Sequence, residues 1–455
     1  MRHPSPSLFH CCAAGLLGAL LALAIAPSPA LAQAAPDTTL QREIDRRVEA
    51  VTAKVVAWRR DVHQHPELSN REVRTAKVVA EHLRALGLEV RTGVARTGVV
   101  GVLRGGRPGP VVALRADMDA LPVTEEVSVP FASKVTAEYN GQKVGVMHAC
   151  GHDAHTAMLM GAAEVLAGMR AQLPGTVVFL FQPAEEQPPP GEEGGADVMV
   201  AEGALDRPKV DAIFGLHVLP IPLGQIQWRA GGIMASSDRL EIRVHGRQTH
   251  GAQPWEGVDT VVVASQIVAA LQTITSRQMN LTTAPVVVSI GRIQGGVRYN
   301  IIPDKVLLEG TIRALDEGMR RDMHARIRRT VEHVAQASGA KAEVVIERAT
   351  DVTYNDPALV EQMLPTLERV AGKSIQQALP ATTAEDFSEY QKKVPGMFFF
   401  LGITPPGTEP VVNHSPRFVV DEAAMPVGVR ALVHLAVDYL TRSQPGRVKD
   451  RRSGR

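Results

Sequence analysis

The stretch at residues 148–155 reads His-Ala-Cys-Gly-His-Asp-Ala-His, so three histidines, one cysteine and one aspartate fall within eight positions. Packing alone does not require this combination, whereas thiolates, imidazoles and carboxylates are the groups that hold zinc, manganese and related divalent ions. The alternative is a buried cysteine beside incidental histidines at the start of a helix. Asp153 is predicted either to cap that helix or to support a metal ligand without binding the metal itself. The density of donor groups favours a metal site.

The first 32 residues have the pattern of a secretory signal peptide. A basic start at Arg2 precedes an apolar run at residues 13–25, and Ala30-Leu31-Ala32 has the form of a cleavage site. The run is shorter than the ~20 residues that a membrane-spanning helix needs, although an uncleaved anchor is the alternative. We therefore expect cleavage after Ala32 and a periplasmic or secreted mature protein that has no further contact with the membrane.

Cleavage at that position would leave one cysteine in the mature chain. Cys11 and Cys12 both precede the cleavage site, so Cys150 remains alone. Exported proteins commonly use cysteines in disulfide pairs, and an exposed free thiol in an oxidising compartment would be oxidised. Cys150 is therefore predicted to be either buried and inert or a metal ligand.

The composition of the 455-residue chain is that of an ordinary globular protein, with 45% hydrophobic and 21% charged residues. Its length predicts two or three domains of ~100–200 residues each. The formal net charge is +1, and charges of both signs are interspersed. This pattern argues against nucleic-acid binding. The basic stretch at 444–455 is interpreted as a flexible solvated tail.

Apolar strands alternate with helices in two separate parts of the chain. Residues 37–230 and 350–443 combine helical periodicity with short apolar strands, such as the one at 176–181. This alternation predicts an α/β domain with a mixed sheet covered by helices. Between the two parts, residues 231–349 have the order β-α-β-β-α-β of a ferredoxin-like α+β domain. We predict that this second domain is inserted in the first.

Polar side chains follow the predicted strands of the α/β domain. Asp117 and Asp119 come after one strand, Glu185 and Glu186 after another, and His217 ends a third. Open α/β sheets bind ligands in the crevice beyond the carboxyl ends of their strands. More donors would meet there than one catalytic zinc takes, which indicates a two-metal site; the candidate ligands are Cys150, His152, Glu186, His217 and His414.

The adjacent glutamates 185 and 186 can serve different purposes. One carboxylate can bind a metal while the other acts as a base towards a water at that metal, which is what hydrolysis of an unactivated amide requires. Paired glutamates are common on surfaces, but this pair directly follows an apolar strand and Gln-Pro-Ala. A thiol hydrolase with Cys150 as nucleophile and His152 as base is the alternative. That mechanism leaves both glutamates, both aspartates and His217 without a role.

The chain resembles the M20 metallopeptidase family, in the amidohydrolase branch that includes hippurate hydrolases, N-acyl amino acid amidohydrolases and hydrolases of auxin–amino acid conjugates. Its motifs are specific as a set and span about residues 40–440. The matching segments are Asp61–Glu67, Arg115–Pro122, His148–Asp153, Glu185-Glu186, Gly215–His217, Gly310–Arg313 and Ala384–Phe387.

The resemblance implies a catalytic domain with a dinuclear metal centre and an inserted lid domain that often dimerises. The cofactors would be two divalent ions, Zn, Mn or Co, with Cys150 as the bridging ligand. By match to the motifs, the metal ligands would be Cys150, His152, Glu186, His217 and His414. The partner would be a small amide with a free carboxylate, and the protein would be a homodimer or a higher homo-oligomer.

The resemblance also implies roles for residues that do not bind metal. Glu185 would be the general base, and Asp119 would orient a ligand from behind. In the lid, His250 would polarise the scissile carbonyl. Asn300 and Arg313 would face the substrate, where an arginine fork suits a free carboxylate.

Three departures from the family pattern lie near the expected substrate pocket. Gln248-Thr249 replace the usual glycines, Trp255 replaces a common second histidine, and Thr382-Thr383 replace a common Met-Gly. None of them removes a proposed ligand. The expected function is an exported metal-dependent amidohydrolase acting on linear amides, namely N-acyl amino acids or small peptide-like conjugates. The alternatives are a dipeptidase or carboxypeptidase of the same superfamily and a non-catalytic binding protein.

Overall fold

The computed structural model describes residues 38–442. The predicted signal peptide at 1–32 and the predicted tail at 444–455 lie outside the described residues, so both stay predictions. The helices begin and end as follows: α1 Thr38–Gln64, α2 Val73–Ala85, α3 His152–Ala167, α4 Ala196–Ala201, α5 Thr260–Thr273, α6 Glu317–Ala337, α7 Pro357–Ala371, α8 Ser388–Gln391 and α9 Met425–Arg442.

The strands fall into one large sheet, one four-stranded sheet and several two-stranded ribbons. Their bounds are β1 Glu89–Val94, β2 Gly98–Arg104, β3 Arg107–Asp117, β4 Thr136–Tyr139, β5 Gln142–Gly145, β6 Pro174–Gln182, β7 Ala212–Pro222, β8 Ile226–Trp228, β9 Gly231–Met234, β10 Ser237–His245, β11 Thr249–His250, β12 Val286–Gly295, β13 Ile301–Ile302, β14 Lys305–Ala314, β15 Lys341–Thr350, β16 Thr353–Asn355, β17 Ile375–Gln377 and β18 Gly396–Thr404.

The large sheet has eight strands in the order β1-β2-β6-β3-β7-β18-β8-β17. Its centre is parallel, because β3 pairs in parallel with both β6 and β7, and β7 pairs in parallel with β18. The β1 and β2 strands are antiparallel to their neighbours. The sheet is therefore mixed, as predicted, and the carboxyl ends of β3, β6, β7 and β18 lie at one edge.

Helices cover both faces of the large sheet. Along β6, Phe179 and Phe181 pack into one core with residues of α1, α3 and α9, whereas Val178 and Leu180 pack into a second core with residues of α4. This alternation follows from the strand geometry, in which successive side chains point to opposite faces. An apolar strand buried on both faces is what the continuous hydrophobic run at 176–181 predicts.

The four-stranded sheet has the order β12-β14-β10-β15 and is antiparallel throughout. With α5 and α6 it follows the chain order β-α-β-β-α-β that the sequence predicts, and α6 spans the predicted residues 317–337. Ile242 of β10, Ile267 of α5 and Ile327 of α6 belong to one core of this unit. Its boundaries at 231 and 349, and its role as a lid, stay predictions.

One helical stretch among the described residues, Glu422–Arg442, is long and apolar enough to cross a membrane. However, 72% of its apolar window is buried inside the protein. It includes α9, which packs against α3 and β3. The hydropathy of this stretch is explained by its position in the core.

The predicted N-terminal cap of α3 is wrong. Gly151 occupies the cap position in the left-handed conformation, with φ 97°, and a Cβ there would lie 2.3 Å from Val218 Cγ2. Asp153 lies one residue inside the helix and is fully buried, where it accepts hydrogen bonds from Arg59 at 2.7 Å and from His63 at 2.9 Å. Its carboxylate therefore joins α3 to α1 instead of capping α3.

Candidate metal centre

A cleft opens at the carboxyl edge of the large sheet. Its volume is about 390 Å³, which is within the usual range for a small-molecule site. The α3 N-terminus, the loop after β6 and strand β7 each deliver side chains to it. The predicted site residues that line the cleft are Cys150, Glu185, Glu186, His217, Arg313 and His414.

The predicted metal ligands form two overlapping sets. Cys150, His152 and His217 form one set, and all three are buried. Cys150, Glu186 and His414 form the other, at the mouth of the cleft. Within each set the donor atoms lie within 4.8 Å of one another. Because Cys150 belongs to both sets, this arrangement fits a thiolate that bridges two ions.

Both buried histidines are held with one ring nitrogen towards the cluster. His152 Nδ1 lies 2.9 Å from the backbone oxygen of Asp119, and His217 Nδ1 lies 2.8 Å from that of Val218. A carbonyl oxygen only accepts hydrogen bonds, so each Nδ1 carries a proton and Nε2 is the ring nitrogen that can bind a metal. A metal bound at Nε2 would replace any proton there, which gives the tautomer that a metal ligand requires.

Two of these buried donors, His152 and Cys150, lie in surroundings that a bound cation would stabilise. His152 Nε2 is buried and has no hydrogen-bond partner among the described residues, a state that costs about 1–3 kcal/mol. Burial opposes its protonation, but the carboxylates of Asp117 and Asp119 raise the pKa of His152 to about 10. Burial, together with Glu186 and Glu185, raises the pKa of the Cys150 thiol well above its usual range. The donors present therefore fit divalent ions.

The second set is more open than the first. His414 Nε2 lies 3.0 Å from Glu186 Oε1, and the His414 side chain is 54% exposed. The nearby carboxylate of Glu186 is the main cause that raises the pKa of His414. The backbone of His414 is left-handed, with φ 68°, and its N–H donates to the oxygen of Ala149 at 2.7 Å. This bond ties the His414 loop to the start of the Cys150 segment.

Asp119 contacts two of the predicted metal ligands through hydrogen bonds. Its Oδ1 lies 3.1 Å from His152 Nδ1, and its Oδ2 accepts hydrogen bonds from Ser69 Oγ at 2.7 Å and from the Glu186 amide at 3.0 Å. One carboxylate thus contacts both a predicted histidine ligand and the backbone of a predicted glutamate ligand. Asp119 lies close enough to orient both side chains, and its role towards a metal stays a prediction.

Glu185 faces the cleft beside the donor cluster. Its side chain is 9% exposed, and its Oε2 lies 3.9 Å from His152 Nε2. Burial, followed by the charges of Glu385 and Glu186, raises the pKa of Glu185 well above its usual range. A buried carboxylate with a raised pKa is the kind of group that serves as a general acid or base.

Arg313 lines the same cleft from β14 of the four-stranded sheet. No ion pair among the described residues involves Arg313, and burial, only partly offset by the charge of Asp238, lowers the pKa of its guanidinium. A half-buried arginine without a counter-ion is suited to bind an anionic ligand. The lining of the cleft therefore contains both the donor groups and a guanidinium.

The structure does not bring His250 and Asn300 into the cleft lining. His250 lies on β11 and Asn300 directly precedes β13, and the Gly251 amide donates to the backbone oxygen of Asn300 at 2.8 Å. His250 is exposed, and its Nδ1 accepts a hydrogen bond from the Ala252 amide at 3.0 Å. The two residues are neighbours, and their predicted roles at the substrate stay predictions.

Several polar residues at the centre were missed from the sequence. Arg115 is fully buried and bonds to Asp117 at 2.7 Å and to Glu385 at 2.9 Å. Asn413 Nδ2 donates to the backbone oxygen of Cys150 at 3.1 Å. Arg115 and Glu385 both lie in motifs that the sequence analysis identified, but their mutual contact depends on how the loop before α8 packs against β3.

The comparisons with known proteins agree with this geometry. Residues 113–438 match the model of Peptidase family M20/M25/M40. The chain is 40% identical to Thermostable carboxypeptidase 2 of Saccharolobus solfataricus, over 88% of this chain and 99% of that protein. It is 38% identical to N-acetylcysteine deacetylase of Bacillus subtilis, over 86% and 98% of the two chains.

A solved structure shows the same fold. The crystal structure of a dinuclear metal-binding peptidase of the M20 family from Bacillus subtilis aligns with a TM-score of 0.73 and 37% sequence identity, over 86% of this chain and 99% of that chain. These likenesses confirm the family that the sequence motifs indicate. The chain therefore belongs to peptidase family M20/M25/M40, and it is a hydrolase that acts on amide bonds.

Proposed function

We propose that this protein is a dinuclear metal-dependent amidohydrolase that cleaves N-acyl amino acids or small peptide-like conjugates. The observation that carries the proposal is the sharing of Cys150 by two donor sets in one cleft, with Glu185 beside them. Cys150, His152, Glu186, His217 and His414 would hold two divalent ions. Thiolate and imidazole favour zinc, whereas the carboxylate and imidazole donors also suit manganese or cobalt.

Each side chain in the cleft has a distinct chemical task under this proposal. Bound divalent ions would supply an acidified water and positive charge for the developing oxyanion. Glu185 accepts the proton of the attacking water and returns it to the leaving amine. Asp119 accepts a hydrogen bond from the proton on Nδ1 of His152, which leaves Nε2 as the nitrogen that would bind the metal. Burial of the cluster strengthens these electrostatic interactions, because water is excluded.

The position and charge of Arg313 indicate the class of substrate. It lines the same cleft as the two glutamates, and no ion pair among the described residues involves its guanidinium. A free α-carboxylate next to the scissile amide would satisfy it through two parallel hydrogen bonds. This supports an amide whose amine half is an amino acid, which both an acylase and a carboxypeptidase would cleave.

Substitution of Arg313 by alanine tests this assignment. Hydrogen bonds to charged groups contribute about 1.5–3 kcal/mol, so we expect the KM for N-acetyl amino acids to rise by about 10–150-fold. The matched control is the same substrate with its carboxylate amidated, for which wild-type protein and variant should have similar kcat/KM. Equal loss on both substrates would contradict carboxylate recognition.

The same assay separates the two candidate activities. The likeness to a carboxypeptidase of Saccharolobus solfataricus favours peptides as a second candidate class. If kcat/KM is higher for N-acetyl amino acids than for dipeptides with a free α-amino group, the protein is an amidohydrolase in the proposed sense. The reverse order makes it a carboxypeptidase. Turnover that survives complete removal of metal by a chelator contradicts both.

We also propose that the protein assembles as a homodimer through the four-stranded unit. The β12 strand lies at the edge of its sheet, and exposed edges favour pairing with another chain. Large apolar side chains are exposed on the same unit, with Val297 98%, Tyr299 95% and Trp255 72% exposed. A solvent-exposed apolar surface of this kind is typical of an interface.

Sedimentation of the purified protein tests the assembly. We expect a mass of two chains at micromolar concentration, and we expect Tyr299→Asp combined with Val297→Asp to shift it towards one chain. The control is Leu379→Asp, which changes an equally exposed apolar residue (86% exposed) outside the four-stranded unit. A single-chain mass for the wild-type protein would contradict the proposal.

A further inference from the structure

Glu72 is a buried carboxylate that the proposed chemistry does not use. It is fully buried directly before α2, and no cation among the described residues lies within ion-pair distance of it. Its Oε1 accepts hydrogen bonds from the amides of Asn70 at 3.0 Å and Ala184 at 2.9 Å, and its Oε2 accepts one from Thr97 Oγ1 at 2.6 Å. Burial of a carboxylate without a counter-ion is unfavourable. The burial of Glu72 therefore needs an explanation, and its hydrogen-bond partners indicate one.

The bond to Ala184 is the informative one. Ala184 is buried and adopts the left-handed conformation, with φ 53°, which residues with a Cβ rarely adopt. It directly precedes Glu185 and Glu186. The conformation of Ala184 therefore determines the direction in which both glutamates leave the end of β6. Strained backbone conformations of this kind persist only where the surroundings hold them.

A second carboxylate, that of Asp119, also forms a hydrogen bond with the loop at residues 184–186. Asp119 Oδ2 accepts hydrogen bonds from the Glu186 amide at 3.0 Å and from Ser69 Oγ at 2.7 Å. Residues 184–186 are thus joined to residues 69–72 at two points, through Glu72 and through Asp119. Burial, together with the nearby Asp119 charge, raises the pKa of Glu72 to about 7. Both carboxylates act on this loop through backbone amides.

We propose that Glu72 is a positioning residue that holds Ala184 in its left-handed conformation and thereby aims Glu185 and Glu186 into the metal centre. The inference rests on the proposed function, since it concerns the same base and the same ligand. Glu72 itself does not line the cleft. Its effect is transmitted through one hydrogen bond and one backbone dihedral angle.

The first test compares Glu72→Gln with Glu72→Met. Glutamine keeps an acceptor for both amides, and the Thr97 hydroxyl can reverse its bond to accept from the new amide group. Methionine has a similar length and only a weak acceptor. We expect the glutamine variant to keep the Zn²⁺ affinity and kcat of the wild type, and the methionine variant to lose about 10–100-fold in each. Affinity is measured by competition with a chromophoric chelator.

The second test asks whether the backbone of Ala184 transmits the effect. Glycine adopts positive φ without a steric penalty, so Ala184→Gly in the Glu72→Met background should recover part of the Zn²⁺ affinity. Ala95→Gly is the matched control. Ala95 is also buried and left-handed, with φ 48°, and its amide donates to Glu202 at 2.9 Å, but it does not line the cleft. It should give no recovery.

The outcomes separate this inference from the proposed function. Equal recovery by both glycine variants, or wild-type Zn²⁺ affinity in Glu72→Met, would show that Glu72 does not position the loop. A tenfold or greater loss in Glu72→Gln would also overturn the inference, and this variant serves if Glu72→Met does not fold. Failure of the wild-type protein to bind two Zn²⁺ ions, or equal turnover by wild type and Glu185→Gln, would instead contradict the proposed function.

Discussion

Glu185→Gln is expected to lower kcat for an N-acyl amino acid by about 10²–10⁴-fold, the usual contribution of a general acid–base group. Glutamine occupies the same space but takes up no proton. The Zn²⁺ content should remain that of the wild type, since Glu185 belongs to neither donor set that shares Cys150. The KM should change little, because the carboxylate acts on the proton and not on the substrate.

The neighbouring residue supplies the matched control for this variant. Glu186→Gln removes a proposed ligand, so we expect loss of Zn²⁺ affinity together with loss of turnover. The pair of variants therefore separates the base from the ligand by metal analysis alone. If Glu185→Gln lost metal while Glu186→Gln kept it, the two roles would have to be exchanged. Full activity in Glu185→Gln would exclude it as the base.

Cys150→Ala is expected to have the second large effect. The thiolate is the one donor common to both sets, and substitutions of residues that only support metal ligands already cost about 10–100-fold. We therefore expect more than 100-fold loss of activity and loss of Zn²⁺ from both positions. His217→Ala should weaken one position more than the other, since His217 belongs to one set only.

The cysteine variant also decides between two kinds of hydrolase. In a thiol hydrolase, Cys150 would attack the carbonyl and its substitution would abolish turnover without changing the metal content. In the metal-dependent account, metal loss and activity loss occur together. Mass spectrometry of the wild-type protein during turnover provides the control, and an acyl group on Cys150 would contradict the metal-dependent account.

Much of the fold follows from local sequence pattern. The continuous hydrophobic run of β6 predicts a buried strand, and the spacing of apolar residues in α6 predicts a helix with one buried face. The two patterns can be told apart because strand and helix periodicities differ. The order β-α-β-β-α-β at 231–349 then determines which strands can form one sheet. The carboxyl-edge rule for parallel strands correctly places Glu186 and His217 together.

The interactions that hold the centre could not be derived in the same way. Glu72 and Ala184 are more than a hundred positions apart, and nothing local in either segment indicates a hydrogen bond between them. Asp153 was predicted as a helix cap because the local pattern allows it, yet Arg59 and His63 of α1 bind its carboxylate instead. Long-range partners of buried charges depend on the tertiary packing.

The central claim is that two divalent ions share Cys150. The most direct measurement is anomalous diffraction at the zinc edge from crystals of the Zn²⁺-loaded protein. We expect two anomalous peaks, one beside Cys150, His152 and His217 and one beside Cys150, Glu186 and His414. A single peak, or two peaks of which one does not contact Cys150, would contradict it.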